Sequence, residues 1–184
     1  MGRLRRHVEN ENPVAICNLG QIYMHGTFGQ VKSFKKAARL YQRAADLGDV
    51  PAMFNLGVLY AHGDGVKLDK KKAAKFYRMA ADRGYEPAQH AMGACLREGD
   101  GVAKDEAEAV RFLKLAAEKG FTDAEVLLGA MIAEGQGVEA ADIAEALGYF
   151  ERAARKGHEK AMAWLSKFVE MNEEVLSSIG ASKL

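Results

Sequence analysis

HGDGV, residues 62–66, places two glycines around one aspartate, a composition that suits either a phosphate-cradling loop or a chain that turns a corner. The pattern returns as EGDGV at 98–102 and EGQGV at 134–138, with a looser copy, HGTFGQV, at 25–31. It therefore belongs to a period. Ala15, Ala52, Ala88, Ala124 and Ala161 stand 37, 36, 36 and 37 residues apart, and Leu19, Leu56, Met92, Leu128 and Leu165 keep the same intervals. Gly20, Gly57, Gly93 and Gly129 follow those apolar residues, and Tyr23, Tyr60, Leu96 and Ile132 come three positions later. Alanine pairs recur at 44–45, 80–81, 116–117 and 153–154, and Gly48, Gly84, Gly120 and Gly157 close the units. Self-similarity at a spacing of this size is the mark of a repeat array.

Within a unit the period is helical. In residues 51–63, Ala52, Leu56, Leu59 and Tyr60 share one stripe; in residues 69–84, Ala73, Phe76, Tyr77, Ala80 and Ala81 share another. Two amphipathic helices per unit follow, the first stopped by Gly63 in a left-handed conformation and the second in the same way at Gly84. A phosphate loop needs its glycines after a strand, before a helix and ahead of a lysine, whereas here a helix precedes them. The aspartates also miss the alternating ligand pattern of a calcium loop. The small residues predict close approach: Gly57, Ala80 and Ala81 lie where helices must touch, with Leu56 and Tyr60 filling the gaps.

The run Ala-x-x-x-Leu-Gly-x-x-Tyr-x-x-Gly-x-Gly-Val, then Ala-Ala-x-x-Tyr-x-x-Ala-Ala-x-x-Gly, resembles the Sel-one-like repeats, relatives of the tetratricopeptide repeats. The resemblance covers four units at about 13–50, 51–86, 87–122 and 123–159, with a partial fifth at 160–176. It implies an all-α, right-handed α-α superhelix, a solenoid of about four to five two-helix repeats of 36–37 residues. The first unit carries Thr27-Phe28 where one residue is usual, the fourth has one extra residue between Val138 and Ala146, and Leu96 and Ile132 replace the tyrosine. Residues 1–12 read as an N-terminal cap and 177–184 as a flexible C-terminal tail.

Composition bounds the partners. Across 184 residues, 26 Lys plus Arg nearly balance 25 Asp plus Glu, so no global basic field favours nucleic acid or an anionic membrane. Two cysteines far apart, Cys17 and Cys95, suggest neither a disulfide framework nor a zinc site. No apolar run approaches the ~20 residues that span a bilayer, and no secretory signal is visible, so the expectation is a soluble, cytoplasmic protein without membrane insertion. Ser182, Lys183 and Leu184 form a C-terminal S-K-L, which in a eukaryote would address the protein to the peroxisomal matrix.

The resemblance implies a protein-protein interaction scaffold, an adaptor holding a partner protein or peptide on the concave surface lined by the first helix of each unit. Groove-facing positions carried over from the related repeats are Cys17, Gln21, Met24 and His25; Phe54, Val58 and His62; His90, Ala94, Arg97 and Glu98; then Val126, Ala130 and Glu134. Phe54 and Val58 make an apolar centre and Arg97 an ionic side, the ingredients of a peptide-binding groove; the competing reading has Phe54 packing on neighbouring helices. His25, His62, Glu98 and Glu134 form a column, but repeats on the order of 10 Å apart cannot share one ion at bond lengths near 2 Å. No metal or cofactor is expected, and no catalytic residue, because the polar groups are dispersed. The alternative is a non-catalytic subunit or an enzyme component whose site another chain completes. The expected oligomeric state is monomer or weak homo-oligomer through the terminal repeats.

Overall fold

The computed structural model describes residues 2–181, with side chains described at residue 4 and at 6–170. Among these residues there are ten helices and no strand. They form two compact units, Met1–Asp105 and Glu106–Leu184. The first holds α1 (Gly2–Glu9), α2 (Pro13–His25), α3 (Phe34–Asp46), α4 (Val50–His62), α5 (Lys70–Ala81) and α6 (Glu86–Glu98). The second holds α7 (Glu106–Glu118), α8 (Thr122–Ala133), α9 (Ile143–Arg155) and α10 (Glu159–Ala181). In each unit consecutive helices pack on one another: α1 through α6 in order, and α7 through α10 in order.

Local chemistry sets where each helix starts and stops. Asn12 and Asp49 accept from the backbone N–H of Ala15 (3.0 Å) and Ala52 (2.8 Å), with a proline in the first turn that follows. Ser33, Asp69 and Asp142 cap α3, α5 and α9 in the same way, at 3.4, 3.0 and 2.9 Å. Gly63 stands at φ 76° and its N–H donates to the Leu59 carbonyl at 2.8 Å, the left-handed stop that the sequence predicts. The loop then folds back over the helix end. The N–H of Ser33, Asp69, Asp105 and Asp142 donates to the carbonyl of Tyr23, Tyr60, Leu96 and Ile132, at 2.8, 3.0, 2.9 and 3.3 Å. The landmark Tyr/Leu/Ile position thus serves through its backbone as well as its side chain.

The core is built by alanine and by large side chains of both helices of each repeat. Ala52, Ala73, Ala80, Ala88, Ala109, Ala124 and Ala146 are all buried, as are Leu56, Leu59, Met92 and Leu128. Tyr41, Tyr77, Leu113 and Phe150 occupy equivalent positions on α3, α5, α7 and α9 and are buried too. Their rings lie on the glycines of the preceding first helix: Tyr41 on Gly20, Tyr77 on Gly57 and Phe150 on Gly129. Gly57 is a close-approach position, as its place in the sequence predicts, and the side chain that fills the space beside it is the ring of Tyr77. Tyr60 is half-buried and stacks on Phe76, with centroids 5.8 Å apart.

Two terminal features differ in how they are held. At the N-terminal side α1 packs on α2, and Arg43 of α3 donates to the Val8 carbonyl (3.3 Å) and the Glu11 carboxylate (3.1 Å). At the other end α10 continues through 177–181, residues the sequence reading assigns to the tail, while Ser182, Lys183 and Leu184 lie outside the described residues. Gly148 is a helical glycine on the exposed side of α9 whose added Cβ would meet nothing within 4 Å. Gly148→Ala should therefore stabilise the protein by about 0.5–1 kcal/mol, the difference in helix propensity, read as a higher urea midpoint at unchanged slope.

Candidate protein-interaction surface

The three first helices of the N-terminal unit, α2, α4 and α6, carry most of the groove positions. Gln21, His25, His62 and Glu98 are exposed, and Met24, Val58, His90, Ala94 and Arg97 are half-buried. Val58 and His62 fall on the same stripe of α4 as Phe54, one helical turn apart. His25 and His62 end their helices beside the left-handed Gly26 and Gly63. Arg97 is paired to its neighbour Glu98, Nη2 to Oε1 at 2.6 Å and Nε to the same oxygen at 2.8 Å. The Sδ of Met24 accepts from the hydroxyl of Tyr41 at 3.5 Å, so its thioether is turned inward.

Phe54 packs on neighbouring helices, one of the two readings the sequence left open, and keeps part of its side chain accessible. It is half-buried, and its ring lies edge-on to Tyr85 at 5.5 Å and tilted against Tyr77 at 5.7 Å. Tyr85, the residue that opens α6, was not legible as part of this cluster, because nothing in its spacing from Phe54 marks the two as neighbours.

Cys17 is a correction. It is 3% exposed, so it cannot present to a partner. Its thiol lies between α2 and α4, hydrogen-bonded to the Asp49 carboxylate and to Asn55, and burial first, then the charge of Asp49, push it up to about 12. A thiol held protonated at neutral pH is the reverse of a nucleophilic cysteine. Burial likewise pushes Cys95 up to about 11, with Asp100 adding to the effect and Lys70 opposing it. Cys17 therefore supports the surface from below, tying the start of α4 to the middle of α2. Among the described residues no group of three or more His, Cys, Asp and Glu is placed to hold a metal ion, and no helix is long and apolar enough to cross a membrane.

In the C-terminal unit Val126 and Ala130 of α8 are half-buried and Glu134 is exposed. Near them Glu125, 2% exposed, is a buried carboxylate held by Arg152 (3.3 Å) of α9 and by Lys156 (2.9 Å), the residue that caps its C-terminus. A buried charge persists only when paired, and here two cations serve one anion. A hollow of about 400 Å³ opens beside Ala130 and Glu134, walled by Ile143 of α9 and by Trp164 and Phe168 of α10.

Helix hairpins of fixed length, small residues at matched positions and an outward band of mixed chemistry on the first helices define a helical-repeat scaffold. The chain belongs to the Sel1 repeat family: the family model for the Sel1 repeat matches residues 13–49, 50–85, 86–121 and 122–158. Proteins of this family are generally protein-interaction scaffolds without a catalytic site. Among solved structures, a protective antigen of uropathogenic Escherichia coli displaying an SLR fold is 35% identical, with a TM-score of 0.86 over 92% of this chain and 36% of that one. A Sel1 repeat protein from Oxalobacter formigenes is 34% identical, with a TM-score of 0.81 over 85% of this chain and 62% of that one. Cysteine rich protein B of Helicobacter pylori is 26% identical, with a TM-score of 0.53 over 66% of this chain and 92% of that one. This chain thus spans 36% of the Escherichia coli antigen and 62% of the Oxalobacter protein. No curated protein sequence matches it.

Proposed function

We propose that this chain is an adaptor that seats a segment of a partner protein across α2, α4 and α6. The observation that carries the reading is Phe54: a half-buried aromatic ring held in position by Tyr77 and Tyr85. A rigid, partly exposed aromatic loses little entropy on binding, which is why such residues anchor interfaces. Val58, one turn along, extends the apolar centre, and Gln21, His25, His62 and Arg97 supply polar neighbours around it. Arg97 already has a carboxylate partner in Glu98, so a partner's acidic group would exchange for an exposed one at little desolvation cost. Such a contact contributes orientation and association rate more than affinity. Val126 and Glu134 belong to the other unit and form no part of this reading.

Phe54→Ala is a poor test, because it also removes packing against Tyr77 and Tyr85. Val58→Glu and Arg97→Glu change the surface without emptying the core. Each should weaken capture of a partner from native extract by about tenfold or more, with the Arg97 effect greatest at low salt. The helical circular-dichroism signal and melting temperature should stay unchanged. Recovery of the same partners in the same amounts by both variants would assign binding to another surface.

A further inference from the structure

We infer that the edge of the N-terminal unit formed by the loops after α2 and α4 docks on an anionic lipid surface, lying on the bilayer and not across it. The near-neutral total charge conceals this edge. Residues 26–36 and 63–72, the two loops with the first turns of α3 and α5, hold seven lysines, no arginine and two aspartates. The matching stretches of the later repeats, 99–108 and 135–145, hold one lysine and seven acidic residues. The repeat therefore folds with either composition, and its architecture does not require the lysines.

The two loops lie side by side. Gly65 sits directly on the backbone of Phe34 and Lys35, which places the second loop against the start of α3, where the first loop ends. Lys32, Lys35, Lys36, Lys67 and Lys71 are exposed, and none of them pairs with a carboxylate among the described residues. Lys32 and Lys36 stand instead over the rings of Phe34 and Tyr23, at 4.5 and 4.9 Å. An unbalanced positive field follows along this edge. Apolar side chains stand there too. Phe28 is 75% exposed, Val31 85% and Leu68 55%. Phe28 also has left-handed backbone, φ 52°, which a bulky residue rarely adopts, so neither packing nor backbone preference accounts for a phenylalanine at that position.

The combination selects the occupant. A nucleic acid would pair its phosphates with the lysines and leave Val31 and Leu68 in water, since neither has a ring on which a base stacks. A protein would have to supply a separate recess for each of three side chains on two loops, and its carboxylates would be matched better by arginine forks than by lysines. A bilayer interface meets both conditions: it takes scattered apolar side chains at any spacing, while its anionic headgroups attract lysine as a point charge.

Co-sedimentation of the full chain with vesicles tests this with no protein partner present, so the result is independent of the groove on α2, α4 and α6. Phosphatidylcholine vesicles containing about 30% phosphatidylserine should bind the protein, and phosphatidylcholine alone should bind it about tenfold more weakly or less. Lys32→Glu with Lys36→Glu should weaken binding to the anionic vesicles by about tenfold or more, and so should Phe28→Asn with Val31→Ser. Asparagine tolerates the left-handed backbone at 28, and glutamate suits the first turn of α3, so the helical circular-dichroism signal should be retained. Lys160→Glu with Lys167→Glu, the same change of charge at two exposed lysines of α10, should leave binding within about twofold of the original. No binding to the anionic vesicles at roughly 1 mM lipid overturns the inference. Equal weakening by the α10 pair overturns it, as does binding that Phe28→Asn with Val31→Ser leaves equally tight. Retention of a single-stranded RNA more tightly than the vesicles, unaffected by that apolar pair, overturns it in favour of a nucleic acid.

Discussion

Gly101→Ala should lower the free energy of unfolding by about 4 kcal/mol, while the matching change in the first repeat, Gly29→Ala, should cost only about 1 kcal/mol. Both glycines have left-handed backbone, φ 75° and 72°, so both substitutions carry the same strain of roughly 1–2 kcal/mol. They differ in what the new methyl group meets. At Gly101 it would be driven into the carbonyl of Lys70 and to within 3.0 Å of the Lys71 nitrogen, in the first turn of α5; at Gly29 it would meet nothing within 4 Å. The contact recurs. Gly65 lies on Phe34 and Lys35 at the start of α3, and Gly137 on Glu106 and Ala107 at the start of α7. The second turn glycine of these three repeats is therefore a seat for the second helix of the repeat before it, whereas no described residue lies against Gly29 in that way. Backbone cannot move aside as a side chain can, so the overpacking term comes at the upper end of its range of about 1–3 kcal/mol. Urea unfolding of the two variants measures the difference, and equal losses would show that the strain alone matters.

The second large effect is expected at Gly57. A Cβ there would fall 2.7 and 2.8 Å from two ring carbons of Tyr77 and 3.2 Å from the Ala73 carbonyl oxygen. Tyr77 is buried and has Phe54 against it, so the ring has no free direction in which to swing. Gly57→Val should cost about 3 kcal/mol. Pairing it with Tyr77→Leu should recover part of the loss, because the clash is with the ring; a double-mutant cycle measures that coupling, and strict additivity would mean that the ring is not the obstacle. At Gly129 the nearest atoms of Phe150 and Ala146 are 3.3 Å away, so Gly129→Ala should be the milder change.

Why some of this was readable in advance follows from which interactions are local. The helix stops and the stripe of Ala52, Leu56 and Leu59 depend on residues within a few positions of one another, and sequence spacing reports those directly. Gly57 was legible as a close-approach position because a missing Cβ explains a glycine kept inside a helix; that the ring of Tyr77 fills the space was not, because spacing gives the face of a helix and not which side chain reaches across to it. Cys17 was placed on the outward surface because its position in the helix matches Phe54. It is buried because Asp49 and Asn55 of the following repeat close over it, whereas the larger ring of Phe54 extends past its own neighbours. The aromatic cluster with Tyr85, the buried Glu125 between two cations and the hollow at Trp164 all join residues from different helices and carried no periodic signal.

The sequence by itself determined the repeat, its two helices, its stops and the family to which it belongs, because a period sampled four times averages away every local irregularity. Only the tertiary structure decided which glycine carries the joint between repeats and which cysteine is out of reach. Those properties depend on whether another helix lies across a given face, and that is set by what stands next in space, where identical motifs meet different surroundings.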